Sequence, residues 1–308
     1  MRDRHPEPGI KFIDGKHLLP ELGLDRIAAL FLFVHILQFS ISYSLPSRPA
    51  FANVYCVPYA CCDIIKIDAR VMKIRVVACQ QPLDEDLSEQ TLKSIADADF
   101  VCLPEHYPLR KEIQNLQQAA SSYLARKAYL AALSLQIQGV LIGGTLTEAT
   151  DHGYYNTCYV FRQGTEVGFY RKVHPTAGEQ ARGVLQGSEF KIWELNGLRI
   201  GVLICADVLN ARSFDELANL HCQITFVPTA SPYRPGESVE KKFERDRSIF
   251  LEGARKLGCP IVKTCGVGTT FGHPIQGRSL IATPEGIVAR AEPHQENQHL
   301  LLFADLEL

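Results

Sequence analysis

Three apolar runs in this sequence end on residues that can do acyl chemistry. "VCLPEHYP" delivers Glu105, "GFYRKVHP" delivers Lys172 and "GVLICAD" delivers Cys205. A thiol near its ordinary pKa is mostly protonated at neutral pH, and it becomes a nucleophile only beside a base or a positive charge. Glu105 has the chemistry of the base and Lys172 that of the charge. Taken singly, each residue also has a plainer reading. Glu105 reads as a solvated acid after a proline turn, Lys172 as half of a surface pair with Arg171, and Cys205 as a small core hydrophobe. The chemical reading requires a fold that gathers the three run ends, as α/β sheets gather functional groups where strands emerge into loops.

The elements that would position them alternate along the chain from Met72 onward. Short β-branched runs are interleaved with longer amphipathic stretches, the pattern of an α/β domain. "KIRVVACQQ", "ADFVCLPE", "GVLIGGTLTE", "YYNTCYVFRQG", "EVGFYRK", "FKIWEL", "LRIGVLIC", "QITFVPTA", "PIVKTCG", "GRSLIATPEGIVARAEP" and "HLLLFADLEL" read as strands. "LSEQTLKSIADA", "SFDELANLH" and "VEKKFERDRSIFLEGARKLG" read as helices. "LRKEIQNLQQAASSYLARKAYLAALSLQ" keeps apolar residues at helical spacing with no internal Gly or Pro, which predicts one long helix. No strand is followed by G-x-G-x-x-G or G-x-x-x-x-G-K-[ST], so a nucleotide-binding doubly wound sheet is disfavoured. The hairpin-like pairs in mid-chain fit two packed sheets flanked by helices.

Composition narrows the function classes. With 46% hydrophobic and 21% charged residues, the 308-residue chain has the make-up of a globular protein. A net charge of -2 and the absence of a basic cluster give no electrostatic reason to expect nucleic acid. The ten cysteines are scattered, without a C-x-x-C pair or a Cys/His cluster at zinc spacing, so no structural metal is expected. Several lie inside apolar runs, which favours reduced thiols and a cytoplasmic location.

The order Glu105, Lys172, Cys205, in "LPEHYP", "YRKVHPTAGE" and "IGVLICAD", resembles the nitrilase or carbon-nitrogen hydrolase superfamily. The closing run "FGHPIQGRSLIATPEGIVARAE" resembles its last strands, and the resemblance covers residues 72–308. It implies a four-layer α-β-β-α sandwich and a hydrolase that needs no metal or organic cofactor. On the family's pattern Cys205 attacks the carbonyl of a small amide, which expels ammonia or an amine to leave a thioester, or it attacks the carbon of a nitrile. Lys172 and the backbone N–H of Ala206 would meet the developing oxyanion, and Glu105 would serve as base, acid and base again. Glu179 matches the second glutamate that many members place near the lysine, where it would orient Lys172. Tyr107, Ser231 and Tyr233 are expected pocket-wall residues. Ala206-Asp207 departs from the Trp-Glu of true nitrilases; its Asp agrees with the amidase side and its alanine with neither, while "KVHPTAGE" resembles the nitrilase lysine motif, so amide hydrolysis is the first expectation and nitrile hydrolysis the second. A non-catalytic scaffold keeping the fold is the contrasting class. The resemblance also implies a homodimer or larger even assembly, paired through "SFDELANLHC" and "VEKKFERDRSIFLEGARKLG". A pocket for an acidic substrate would need an arginine, and the sequence alone places none.

Residues 1–71 stand apart. Met72 directly precedes the first convincing strand, and Met1 is the only other methionine. Met72 is therefore read as the working start, and residues 1–71 as an extension outside the native fold. Two alternatives compete with this reading. The apolar run Ile27 to Leu45 would act as a membrane anchor, or the segment would be an export signal cleaved after "AFA". If Met72 is the start, a chain of residues 72–308 is expected to be soluble and as active as the full chain, with limited proteolysis trimming the latter to near Met72. Loss of folding in the shortened chain would place the extension inside the fold.

Overall fold

Strand β1 (Lys73–Pro82) shows how the layers arise. Ile74, Val76 and Ala78 face one apolar core while Val77 and Cys79 face another, as the two-residue period of a strand requires. A strand apolar on both faces must be covered on both sides. The computed structural model describes residues 72–308, and β1 lies at the middle of its architecture.

In the first sheet β1 pairs in parallel with β2 (Phe100–Cys102) and antiparallel with β14 (Leu300–Glu307). β2 runs parallel to β3 (Val140–Ile142). β3 and β4 (Leu146–Thr150) share one side of β5 (Gly153–Arg162), and β6 (Thr165–Arg171) takes the other. The second sheet has the order β7 (Ile192–Leu195), β8 (Leu198–Val202), β9 (Ile224–Thr229), β10 (Ile261–Thr270), β12 (Leu280–Ala282), β13 (Ile287–Arg290). β8, β9 and β10 are mutually parallel, and β11 (His273–Ile275) folds back on the end of β10. Among the described residues the sheets join where Gln81 and Pro82 pair with Gly266 and Val267. Elsewhere they are two layers, with their inner faces interleaved around Phe100, Ile142, Ile200 and Phe226. The rings of Phe100 and Phe226 meet across that interface at 5.4 Å.

Helices cover both outer faces. On the first sheet, Ile95 of α1 (Glu89–Ile95), Ala119 of α2 (Leu116–Ser121) and Leu130 of α3 (Tyr123–Ser134) pack with Val101 and Leu141. On the second, Phe214 and Leu217 of α5 (Ala211–Asn219) and Ala254 and Leu257 of α7 (Glu252–Leu257) pack with Leu203 and Val227, and α6 (Val239–Asp246) precedes α7. The short α4 (Ala177–Ala181) follows β6. The result is the four-layer α-β-β-α sandwich.

Two helix readings need correction. The long helix over residues 109–136 is in fact α2 and α3, broken at Ser122. Ser121 and Ser122 turn their hydroxyls back onto the carbonyls of Gln118 and Ala119, a local competition with helical bonding that sequence periodicity does not register. Residues 239–257 include a π-helical turn at Arg247–Leu251 between α6 and α7. Among the described residues no helix is long and apolar enough to cross a membrane. The readings of residues 1–71, including Ile27 to Leu45, lie outside the described residues.

Candidate active site

The carboxyl ends of parallel strands open on one edge of the sandwich, and the sequence places chemistry there. Glu105 follows β2, Lys172 follows β6, Cys205 follows β8 and Ala230 follows β9. All four line one cavity of about 660 Å³. The Glu105 loop approaches the chain so closely that Gly144 (φ +65°) has no room for a side chain: a Cβ there would meet the Pro104 carbonyl oxygen at 2.2 Å. Buried Arg126 holds the same loop, donating to the carbonyls of Pro108 at 2.5 Å and His106 at 2.7 Å.

Lys172 is the hub. Its Nζ donates to Glu105 Oε1 at 3.0 Å and to both Glu179 oxygens at 2.9 Å, with all three side chains nearly sealed from solvent. Asn156 Nδ2 bridges the two carboxylates, at 2.8 Å from Glu105 and 3.2 Å from Glu179. The backbone N–H of Ala230 donates to Glu105 Oε2 at 2.9 Å. Thr176 and Glu179 form a capping box that starts α4 and fixes the second carboxylate. Burial alone would lower the Lys172 pKa, but the charges of Glu105 and Glu179 outweigh it and hold the ammonium above its usual range. Burial would raise Glu179, yet Lys172 and the Thr176 N–H pull it down to about 2.

Cys205 sits at the turn between β8 and a 3₁₀ segment, Cys205–Leu209, with φ +45°. A non-glycine residue in that region is strained, on the order of 1–3 kcal/mol, and persists only where surrounding bonds over-determine it. Asp207 supplies those bonds. Its carboxylate accepts from Ile204 N at 2.8 Å, His174 N at 2.6 Å and Tyr170 OH at 2.9 Å, and its carbonyl accepts from Ser213 Oγ at 2.7 Å. The thiol approaches the Ala230 carbonyl at 3.9 Å. Burial and the Glu105 charge push its pKa up, with Lys172 opposing.

The carbon-nitrogen hydrolase family model matches residues 81–308. The chain belongs to that family. It is 28% identical over 242 residues to an omega-amidase of Xenopus laevis, covering 74% of this chain and 85% of the amidase. It is 27% identical over 218 residues to the glutamine-dependent NAD(+) synthetase of Rhodobacter capsulatus, covering 69% of this chain and 38% of the synthetase. The chain thus spans about two fifths of that synthetase and of its counterpart from Acinetobacter baylyi. Among solved structures, a carbon-nitrogen hydrolase from Helicobacter pylori G27 superposes with a TM-score of 0.66 at 22% identity, over 76% of this chain and 89% of that one. An amidase mutant from Nesterenkonia sp. AN1, carrying an acetamide moiety on its active-site cysteine, superposes with a TM-score of 0.63 at 18% identity, over 76% and 90%.

Within this carbon-nitrogen hydrolase, Glu105, Lys172, Glu179, Cys205, Ala206, Ser231 and Tyr233 all line the cavity. Tyr107 does not, which corrects its assignment to the wall. Its ring is fully buried in the outer core of the first sheet and its hydroxyl pairs with Tyr129 at 3.0 Å. His106, left-handed at φ +68°, turns the chain so that its own ring reaches the cavity against Phe271 while the next side chain points away. Sequence reading missed Asn156, which lies mid-strand in β5 and looked like an ordinary polar residue. It also missed the arginines of the cavity, Arg182, Arg234, Arg245 and Arg278.

The depressed Glu179 pKa predicts an acid limb of stability. A carboxylate lowered from 4.5 to about 2 stabilises the fold fully above its unfolded pKa and loses that contribution as pH falls toward about 2, on the order of 3 kcal/mol in total. Urea unfolding of Glu179→Gln at pH 7, 5, 4 and 3 should show a flatter decline below pH 4.5 than wild type. Parallel declines would remove Glu179 as the linked group.

Proposed function

We propose that this carbon-nitrogen hydrolase cleaves small amides through a thioester on Cys205. The observation that carries the reading is the Lys172 ammonium held between two buried carboxylates beside a strained cysteine at the wall of one cavity. The amidase and omega-amidase relatives point the same way.

On attack, Cys205 gives its proton to Glu105 as the sulfur bonds to the carbonyl carbon, and the C=O π pair moves onto oxygen. Protonation of Glu105 weakens its hold on Lys172, which frees an Nζ–H for the oxyanion at the moment that charge appears. The backbone N–H of Ala206 is the second donor, and single donors of this kind are worth about 3 to 4 kcal/mol. Collapse breaks the C–N bond, and ammonia or an amine leaves with the proton from Glu105. Water then gives a proton to Glu105 and attacks the thioester. The acid departs, and Cys205 recovers the proton as its thiol. Because burial and the Glu105 charge raise the Cys205 pKa, the proton moves to Glu105 as the sulfur attacks. Glu179 keeps Lys172 in place, and Asn156 holds both carboxylates, while Glu105 changes charge.

Two variants test this chemistry against a panel of amides, N-carbamoyl compounds and nitriles. Cys205→Ala should abolish ammonia release with circular dichroism unchanged, and mass spectrometry of wild type during turnover should find the acyl adduct on Cys205. An adduct on Cys265 instead would reassign the nucleophile. Lys172→Gln should lower kcat by at least about a hundredfold with a modest change in KM, as expected for an interaction made mainly in the transition state. Undiminished kcat would remove the lysine from the oxyanion site.

A further inference from the structure

The far end of the same cavity carries an imbalance of buried charge. Lys263 projects from β10 and is 2% exposed. Its ammonium lies 3.2 Å from Asp246 Oδ1 and 4.6 Å from the centre of the Phe250 ring. That one carboxylate is shared: Asp246 Oδ2 also accepts from Arg278 at 2.6 Å and from Arg290 at 3.4 Å. The neighbouring acid, Glu237, is taken by Arg245 and lies 4.0 Å from Arg278. Four cations therefore face two carboxylates, and Lys263, Arg278 and Asp246 are each nearly sealed from water. Desolvating a charge costs several kcal/mol unless it is paired, so a cluster with this surplus is relieved by an anion.

Position ties that anion to the amide site. Lys263, Asp246, Arg278 and Arg245 line the cavity that holds Cys205. In register, Lys263 is level with Val227 on β9, which neighbours β8, so two strand spacings of about 4.8 Å separate the lysine from the strand that ends at Cys205. The π-helical turn that directly follows Asp246 carries Ile249 and Phe250 into the cavity wall, and such irregular turns recur at binding sites. Exposed Arg182 and Arg234 on the same lining add positive potential for an approaching anion. A volume of about 660 Å³ leaves room for a chain of several atoms between the two ends.

We propose that the cavity takes amides bearing a carboxylate several bonds from the amide carbon, and that Lys263, backed by Arg278, is the seat of that carboxylate. The proposal rests on the amidase reading of Cys205 for the reacting end of the substrate. Asp246 holds the lysine in place and sets its charge against the incoming acid, a specificity role remote from bond breaking.

The test compares glutaramate with its methyl ester, which keeps the amide and the shape but removes the charge. Wild type should prefer glutaramate at least tenfold in kcat/KM. Lys263→Met should erase most of that preference, mainly through KM, whereas Lys263→Arg should retain it. The arginine variant keeps the comparison informative if the methionine variant fails to fold: a lost preference in folded Lys263→Arg protein, or equal use of both compounds by wild type, overturns the carboxylate seat and leaves the amidase reading intact. If wild type releases ammonia from neither compound, the amidase reading fails, and calorimetry with glutarate on the wild-type chain decides the seat by itself. Saturable, salt-weakened binding that is lost in Lys263→Met supports it, and no binding overturns it.

Discussion

The arrangement at the edge of the sandwich depends on one buried ammonium. Two carboxylates as close as Glu105 and Glu179 would repel one another in a site with little water, and one would be driven to protonate. Lys172 removes that conflict by bonding to both. Asn156 reinforces the bridge with a neutral donor. Removing either partner of such a pair leaves the other buried and unpaired, which is typically worth 3 to 5 kcal/mol. The ammonium therefore serves stability and chemistry together, and neither role can be altered alone.

The two sheets exist, in this light, to bring strand ends to that ammonium. β2 and β6 belong to one sheet and β8 and β9 to the other, so the site forms only when the inner faces are packed in register. Asp207 is the counterpart of Lys172 on the second sheet. It carries no exposed surface, and burial raises its pKa against the bonds from Ile204, His174 and Tyr170. Tyr170 comes from β6, two residues before the lysine. A single hydrogen bond to the Asp207 carboxylate thus couples the strand that delivers the ammonium to the turn that strains the cysteine.

How much of this was legible follows from where each residue sits. Glu105, Lys172 and Cys205 each end an apolar run, so the change from core to edge is visible in the sequence itself. The layer architecture was legible for the same reason, since apolar runs such as "VVACQ" leave no face for water. Tyr107 was misplaced because its side-chain direction is set by a left-handed residue at position 106, which no spacing rule anticipates. Ser122 broke a helix through side-chain bonds to backbone that leave the apolar period intact. The Lys263 cluster was hidden for a different reason. Its members lie in an apolar strand, a highly charged helix and a closing loop, and only the tertiary fold shows that Asp246 faces three cations.

Charge also bears on how the reaction would finish. The cavity wall beside Cys205 carries the two carboxylates and one ammonium of Glu105, Glu179 and Lys172, whereas the Lys263 cluster has a surplus of cations. On the proposed chemistry, an amide presents a neutral group to the negative end and its carboxylate to the positive end, so the field orients it. Hydrolysis converts the neutral group to a carboxylate at neutral pH. That new charge lies beside Glu105 and Glu179, at the few-ångström separations where like charges repel appreciably in a poorly solvated site. The same electrostatics that draw the substrate in would then weaken the hold on the product, with no change in the shape of the cavity.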